Sequence, residues 1–404
     1  MIWTKKMDNN IDMKYCSFCG KPIQDGYLFC GSCGKPLVAN NDKNSDTTSK
    51  RQRHTTSKGK SSWIDSLNEY VGNDRPADLN WKVLFSDVFK SHTMEEAEAI
   101  FICGTKATTP SIANVSKDWP HPWLYSRVLL MFLMAFALLW ICVSAFSNPN
   151  ALPGMIVVGS FAVPLSTMIL FMEVNAWRNV SMYQVIQTFL VGGCASLVAT
   201  LFLFSIYSVE ELDFVGAFMV GIIEEMGKAI IVYFFLKRME NRSILSGMLI
   251  GASVGAGFAA FESAGYALKP LMQFLQYSGY AAAYGQSVDE SQMLYAIQQN
   301  IFIRGFLAPG GHVAWAAISG AALVIATKWK KTFDIGLFTD SKFLRLFIIP
   351  VALHGLWDCP LAELFNSMFP FAGYISLIVI VWMVVLILIN MGLAEVSRES
   401  LQGK

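Results

Sequence analysis

From residue 124 onward the chain is a succession of apolar runs, at about 124–146, 152–172, 185–207, 213–236, 244–268, 302–327, 343–365 and 369–391. Each is long enough, at about 1.5 Å per helical residue, to cross a hydrocarbon layer roughly 30 Å thick. The pattern predicts an all-α polytopic membrane protein with about eight transmembrane helices. Ahead of these runs, residues 63–123 mix apolar and polar positions at helical spacing. Thr93 followed by Glu96 is a capping-box signature opening the helix MEEAEAIF, with Gly104 as its stop. Residues 38–62, rich in Asn, Ser, Thr and Lys, have no apolar periodicity and are expected to be a flexible basic linker.

Composition sharpens this picture. Of the 404 residues, 54% are hydrophobic and 15% charged, and the mean hydropathy is +0.43, far from the roughly 25% charged content of a soluble domain. The net charge of +1 says nothing about partners, because acidic and basic residues are distributed by topology, and nothing in the sequence suggests nucleic acid as the main ligand. The first residues contain no apolar stretch of signal-peptide type, so the N-terminal part is expected to stay cytoplasmic. Arg178, Lys237, Arg238, Arg242, Lys328, Lys330, Lys331, Lys342, Arg345, Arg398 and Lys404 fall on one side of the spans. The opposite connections hold only Lys269 and the helix-edge Arg304. By the positive-inside bias this predicts a multi-pass cell-membrane protein with both termini cytoplasmic, 393–404 forming a cytoplasmic tail.

Residues 16–36 repeat C-x-x-C-G-K-P, at Cys16/Cys19 and again at Cys30/Cys33. Four thiolates in two knuckles suit one tetrahedral structural Zn²⁺, with Gly20 and Gly34 permitting the tight turns; two disulfides are the weaker alternative in a reducing compartment. The reading is a small zinc ribbon over 13–37, serving an unidentified cytoplasmic partner rather than catalysis. The residues before Met13 have the character of an upstream-start extension. In the helical segment that follows the linker, His92 and His121 are expected to be isolated, like His54 in the linker.

The candidate chemistry lies inside the apolar runs, where a charge costs roughly 2.5–3.5 kcal/mol at the centre of a span. The fourth run carries Glu224, Glu225 and Lys228; Glu224 and Lys228 are i and i+4 and share a face, with Glu225 turned by about 100°. Glu262 and Tyr266 are i and i+4 on the fifth, among glycines that suit close helix packing. His312 follows Pro309, Gly310 and Gly311, and His354 and Asp358 are i and i+4 on the seventh. Counted from the span ends, Glu224, His312 and His354 lie near the midplane, and Glu262, Tyr266 and Asp358 in the outer half. Such a set suits general acid/base hydrolysis, and equally a catalytic metal held by His and carboxylate. An ion or proton-coupled transporter uses similar residues, and a non-catalytic membrane scaffold would need them only as interhelical clamps.

The segments EEMGK at 224–228, FESAGY at 261–266, the stretch around His312, and HGLWD at 354–358 resemble the PrsW family of intramembrane proteases, with its E-E-x-x-K, F-E-x-x-x-Y and H-x-x-x-D patterns. The resemblance spans the membrane region from the third run onward. It implies a transmembrane protease domain over 124–392 that cleaves a membrane-spanning protein substrate in the outer half of the bilayer, as in anti-sigma factor release. In that reading Glu224 activates water, with Glu225 the less favoured choice. His312 and His354 stabilise the oxyanion or help hold a metal, Lys228 keeps the glutamate pair ionised, and Glu262, Tyr266 and Asp358 complete the site. The outer stretch 269–304, with Tyr277, Tyr280, Tyr284 and Tyr295, is expected to be either a gate for a substrate helix or an ordered connector.

Overall fold

The computed structural model describes residues 14–15, 22–23, 63–73, 75–76, 79–116, 118–284, 289–330, 332–360 and 371–402. The chain divides into two units, Met1–Lys60 and Ser61–Lys404. Of the first unit only two strands are described, β1 (Lys14–Tyr15) and β2 (Pro22–Ile23), paired antiparallel with Lys14 opposite Ile23. The zinc ligands expected at Cys16, Cys19, Cys30 and Cys33, and the linker, lie outside the described residues.

Every regular element described in the second unit is helical. The unit opens with α1 (Trp63–Val71), a 3-10 turn at Trp81–Phe85 and α2 (Met94–Phe101). The expected capping box is present, with Thr93 Oγ1 accepting from Glu96 N and Glu96 accepting from Thr93 N. Gly104, at φ +74°, stands three residues past the helix end. The two histidines are not isolated. His92 stacks on Trp123 with ring centroids 3.8 Å apart, and His121 Nδ1 lies 2.7 Å from Ser86 Oγ beside Asp87. Burial opposes ionisation of Asp87, yet hydrogen bonds from Lys90 and Ser86 outweigh it and hold the carboxyl below its ordinary value.

The membrane region follows: α3 (Leu124–Ser144), α4 (Leu152–Val174), α5 (Met182–Gln187), which passes through a π turn at Thr188–Gly192 into α6 (Gly193–Ile206), α7 (Phe214–Lys237), α8 (Ile244–Ala283), α9 (Glu290–Leu307), α10 (His312–Lys330), α11 (Ser341–Asp358) and α12 (Ala372–Gln402). Among the described residues six stretches are long and apolar enough to cross a membrane: Leu124–Ser144, Pro149–Val174, Met182–Ile206, Ile244–Ala283, Glu290–Lys328 and Ala372–Leu401. Helices α7 and α11 fall outside that set. The first carries four charged residues, Glu224, Glu225, Lys228 and Lys237, and the second three, Lys342, Arg345 and Asp358.

Helix α8 is the axis of the unit. Every residue from Ile244 to Ala260 is buried, as expected of a helix apolar on all faces. Its glycines admit α10 at backbone distance: a Cβ at Gly255 would stand 2.8 Å from Ala316 Cβ and 2.9 Å from the His312 carbonyl carbon. Without directed hydrophobic force in lipid, such close approach is what holds spans together. By contrast α3 and α6 present Leu130, Met131, Leu133, Leu201 and Phe202 outward. Two carboxylates anchor helix ends: Glu173 accepts from the backbone N–H groups of Trp123, Leu124 and Tyr125, and Glu395 accepts from Ile244 N and pairs with Lys328. Three element bounds differ from the hydropathy reading. The fifth helix continues through Pro270 to Ala283, the sixth is broken into α9 and α10, and α11 ends at Asp358. Polar residues beyond an apolar run can still propagate a helix, which hydropathy does not register.

Candidate active site

Five helices bring their ionisable residues to one place. Lys228, wholly buried on α7, pairs with Glu225 Oε1 at 2.7 Å and lies 3.8 Å from Glu224 Oε2. The nearer partner is therefore the i+3 glutamate rather than the i+4 one that spacing favoured. Lys228 Nζ also meets His312 Nδ1 at 2.7 Å and sits 4.4 Å from the centroid of the Phe258 ring, so these four neighbours compensate a cation removed from water.

His312 is the first residue of α10. A 3-10 turn at Ala308–Gly310, followed by Gly311, interrupts the α9–α10 path, and Trp382 Nε1 on α12 donates to Pro309 O at 2.8 Å and pins the break. His312 Nε2 lies 3.0 Å from Glu262 Oε2, and that same carboxylate oxygen accepts from Arg304 Nη2 on α9 at 2.5 Å. With an acceptor at Nε2 and an ammonium donor at Nδ1, the neutral ring carries its proton on Nε2 and its lone pair on Nδ1.

His354 on α11 is arranged in the mirror sense. Its Nδ1 lies 2.8 Å from Glu225 Oε1, while Nε2 stands 3.4 Å from Asp358 Oδ2 and 3.7 Å from Glu224 Oε2. Trp315 stacks on the ring at 4.5 Å and fixes its plane. The two imidazoles thus each give one nitrogen to a carboxylate and turn the other towards Glu224, whose Oε2 is 4.0 Å from His312 Nδ1. Glu224 Oε2 is buried without a hydrogen-bond partner. Glu225 Oε2 is also unpartnered, but Glu225 is completely enclosed whereas Glu224 keeps 8% of its surface exposed.

Tyr266 is not drawn into this cluster. It is 45% exposed, with the Arg304 guanidinium 4.4 Å from its ring centroid. Asp358 lies at the rim through its contact with His354. Arg304 is the participant that residue spacing did not select. The one signal pointing to it was its being one of two cations on the side poor in Lys and Arg.

Glu224, His312 and His354 each offer a donor atom within 4.8 Å of the other two. Donors around a tetrahedral Zn²⁺ are about 3.3 Å apart, from bond lengths near 2.0–2.1 Å. Side-chain shifts of a few tenths of an ångström would therefore bring this set into range. A carboxylate behind each ligating imidazole, Glu262 for His312 and Glu225 for His354, is the usual second partner of a metal-bound histidine. The residues fit a metal, with one competing contact: the Lys228 ammonium at His312 Nδ1.

Comparison with known proteins gives two family matches. Residues 180–389 match the model described as PrsW family intramembrane metalloprotease, and residues 15–37 match a zinc-ribbon domain. No curated protein and no solved structure matches the chain.

Proposed function

Because the chain belongs to the PrsW family of intramembrane metalloproteases, we propose that it hydrolyses a peptide bond in a membrane-anchored protein, with Glu224 as the group that activates the attacking water. The observation that carries this is the buried Glu224 Oε2, without a hydrogen-bond partner and facing His312 Nδ1 at 4.0 Å and His354 Nε2 at 3.7 Å. Water bound there gives a proton to Glu224 as its oxygen attacks the carbonyl carbon. His354, held by Glu225 and stacked on Trp315, offers Nε2–H to the resulting oxyanion when its ring is protonated. Glu224 then returns the proton to the leaving amine, so atoms and charge balance.

Lys228 compensates Glu225 and thereby keeps His354 anchored. Glu262, held by Arg304, sets the tautomer of His312. A metal held by Glu224, His312 and His354 would polarise the scissile carbonyl and lower the pKa of bound water. Lys228 would then have to leave His312 Nδ1, so the lysine contact and the metal are alternative occupants of that lone pair. The cleaved bond lies in the outer half of the bilayer. Support comes from Arg304, Glu262, Tyr266 and Asp358, which gather towards the end of the helices opposite the Lys/Arg-rich connections. The exposed Tyr277, Tyr280, Tyr284 and Tyr295 on α8 and α9 form the surface that a substrate helix meets first. A single-span regulatory protein, such as an anti-sigma factor, is the substrate class proposed. The zinc ribbon takes a cytoplasmic partner, with both termini on that side.

Glu224→Gln keeps size and removes the base. Cleavage of a single-span substrate in proteoliposomes should fall at least about 10²-fold, and full activity would sink the assignment. Starting the chain near Ser62 removes the ribbon's zinc. Bound metal and chelator-sensitive cleavage in that protein signify the metal route; undiminished cleavage by metal-free protein signifies glutamate alone.

A further inference from the structure

At the end of the membrane region that carries Arg178, Arg238 and Arg242, a cavity of ≈ 420 Å³ opens between the start of α5, the end of α7 and the loop after α2. Among the described residues no acidic side chain lines it, and Arg238 is its one cation. Cations at a helix C-terminus commonly serve the last carbonyls. Here Arg242 already does so, donating to Leu236 O at 2.7 Å and to Lys237 O at 3.1 Å, with its guanidinium 4.4 Å from the Phe333 ring centroid. Lys237 lies over Tyr233. Arg238 is exposed, and its guanidinium has no ion pair or hydrogen bond among the described residues.

The remaining polar lining is rich in donors. Gln184 accepts from Ser181 N through Oε1, which leaves its amide NH₂ free to donate, and Gln187 adds a second amide. Thr188, at the π turn, is 1% exposed, and its hydroxyl finds no partner. In a regular helix that hydroxyl commonly bonds the carbonyl one turn back, so the π turn leaves a buried O–H available to a guest. A guanidinium, two amides and a hydroxyl without a carboxylate are suited to an anion with several acceptor oxygens, of which phosphate is the common case.

The mouth indicates how that phosphate arrives. Tyr183 stands there 73% exposed, an amphipathic ring of the kind enriched at membrane interfaces. Ile186, Leu190 and Val191, the next turns of the same helix, are exposed and apolar. A ligand seated with its phosphate at Arg238 therefore has an apolar surface beside it for acyl chains. We propose that this cavity binds the phosphate headgroup of an anionic phospholipid, holding a lipid between the start of α5 and the end of α7.

The full-length protein is delipidated in detergent and equilibrated with phosphatidylglycerol or with phosphatidylcholine vesicles, and retained lipid is measured by mass spectrometry of the intact protein. A parallel arm offers inorganic phosphate at millimolar concentration. Phosphatidylglycerol should be retained preferentially. Arg238→Gln should lower that retention about tenfold, the scale of a charge-assisted hydrogen bond. Lys237→Gln should leave it unchanged, and Arg238→Lys should restore part of it. Arg238 is exposed, so its variants are expected to remain folded, and an unaltered melting temperature verifies this. Equal retention by Arg238→Gln and the parent, or equal retention of phosphatidylcholine, overturns the proposal. Arg238-dependent binding of inorganic phosphate without retained phosphatidylglycerol overturns the lipid assignment.

Discussion

Placing a methyl group at Gly255 tests how closely α8–α10 packing governs the site. The new Cβ would stand 2.8 Å from Ala316 Cβ and closer still to the His312 carbonyl oxygen. Carbon atoms touch at about 3.5 Å, so the start of α10 must retreat by about 0.7 Å. Neither neighbour is the end of a flexible side chain, so the helix itself must move. His312 lies at that point, and Glu262 is two turns further along α8. The 3.0 Å contact between His312 Nε2 and Glu262 is lengthened by the same displacement. Misplacement approaching 1 Å costs up to about 10²-fold in rate, so Gly255→Ala should lose about 10- to 100-fold in turnover. Overpacking should also remove about 1–3 kcal/mol of stability. Gly265→Ala is the internal comparison: on the same helix, its Cβ meets nothing within 4 Å. Cleavage of a reconstituted single-span substrate, read beside thermal unfolding of each variant, decides the matter. Turnover by Gly255→Ala equal to that of Gly265→Ala would refute the reasoning.

Two further outcomes follow from contacts described above. Replacing Arg304 by Met frees Glu262 from its guanidinium partner and should lower kcat about tenfold with KM nearly unchanged, while Arg304→Lys restores part of it; steady-state kinetics with a rise in KM alone would count against a positioning role. Glu395→Gln weakens the cap on Ile244 N and the ion pair with Lys328, and should cost about 2 kcal/mol, visible as a lower unfolding temperature in detergent without loss of specific activity at low temperature.

Which features were legible before the fold was known follows from the range of the forces involved. Hydropathy over about twenty residues reports the cost of exposing polar groups to lipid, so the helical membrane architecture and the anomaly of Glu224, Glu225 and Lys228 could be read from the sequence alone. Local spacing likewise revealed the capping box at Thr93, because its partners are three residues apart. Spacing favoured Glu224 as the partner of Lys228, and the structure pairs the lysine more closely with Glu225. On an isolated helix both are within reach, and the choice of Glu225 is made with His354, 129 positions away. Arg304 was visible only as a stray cation until α9 was laid against α8, and the carboxylates of Glu173 and Glu395 acquired their roles only against helix ends distant in sequence. The sequence by itself thus determined which groups are too costly to leave in lipid, since that cost depends on residue type and depth. Only the tertiary structure decided which groups satisfy one another, since pairing depends on which helix faces the backbone glycines bring together.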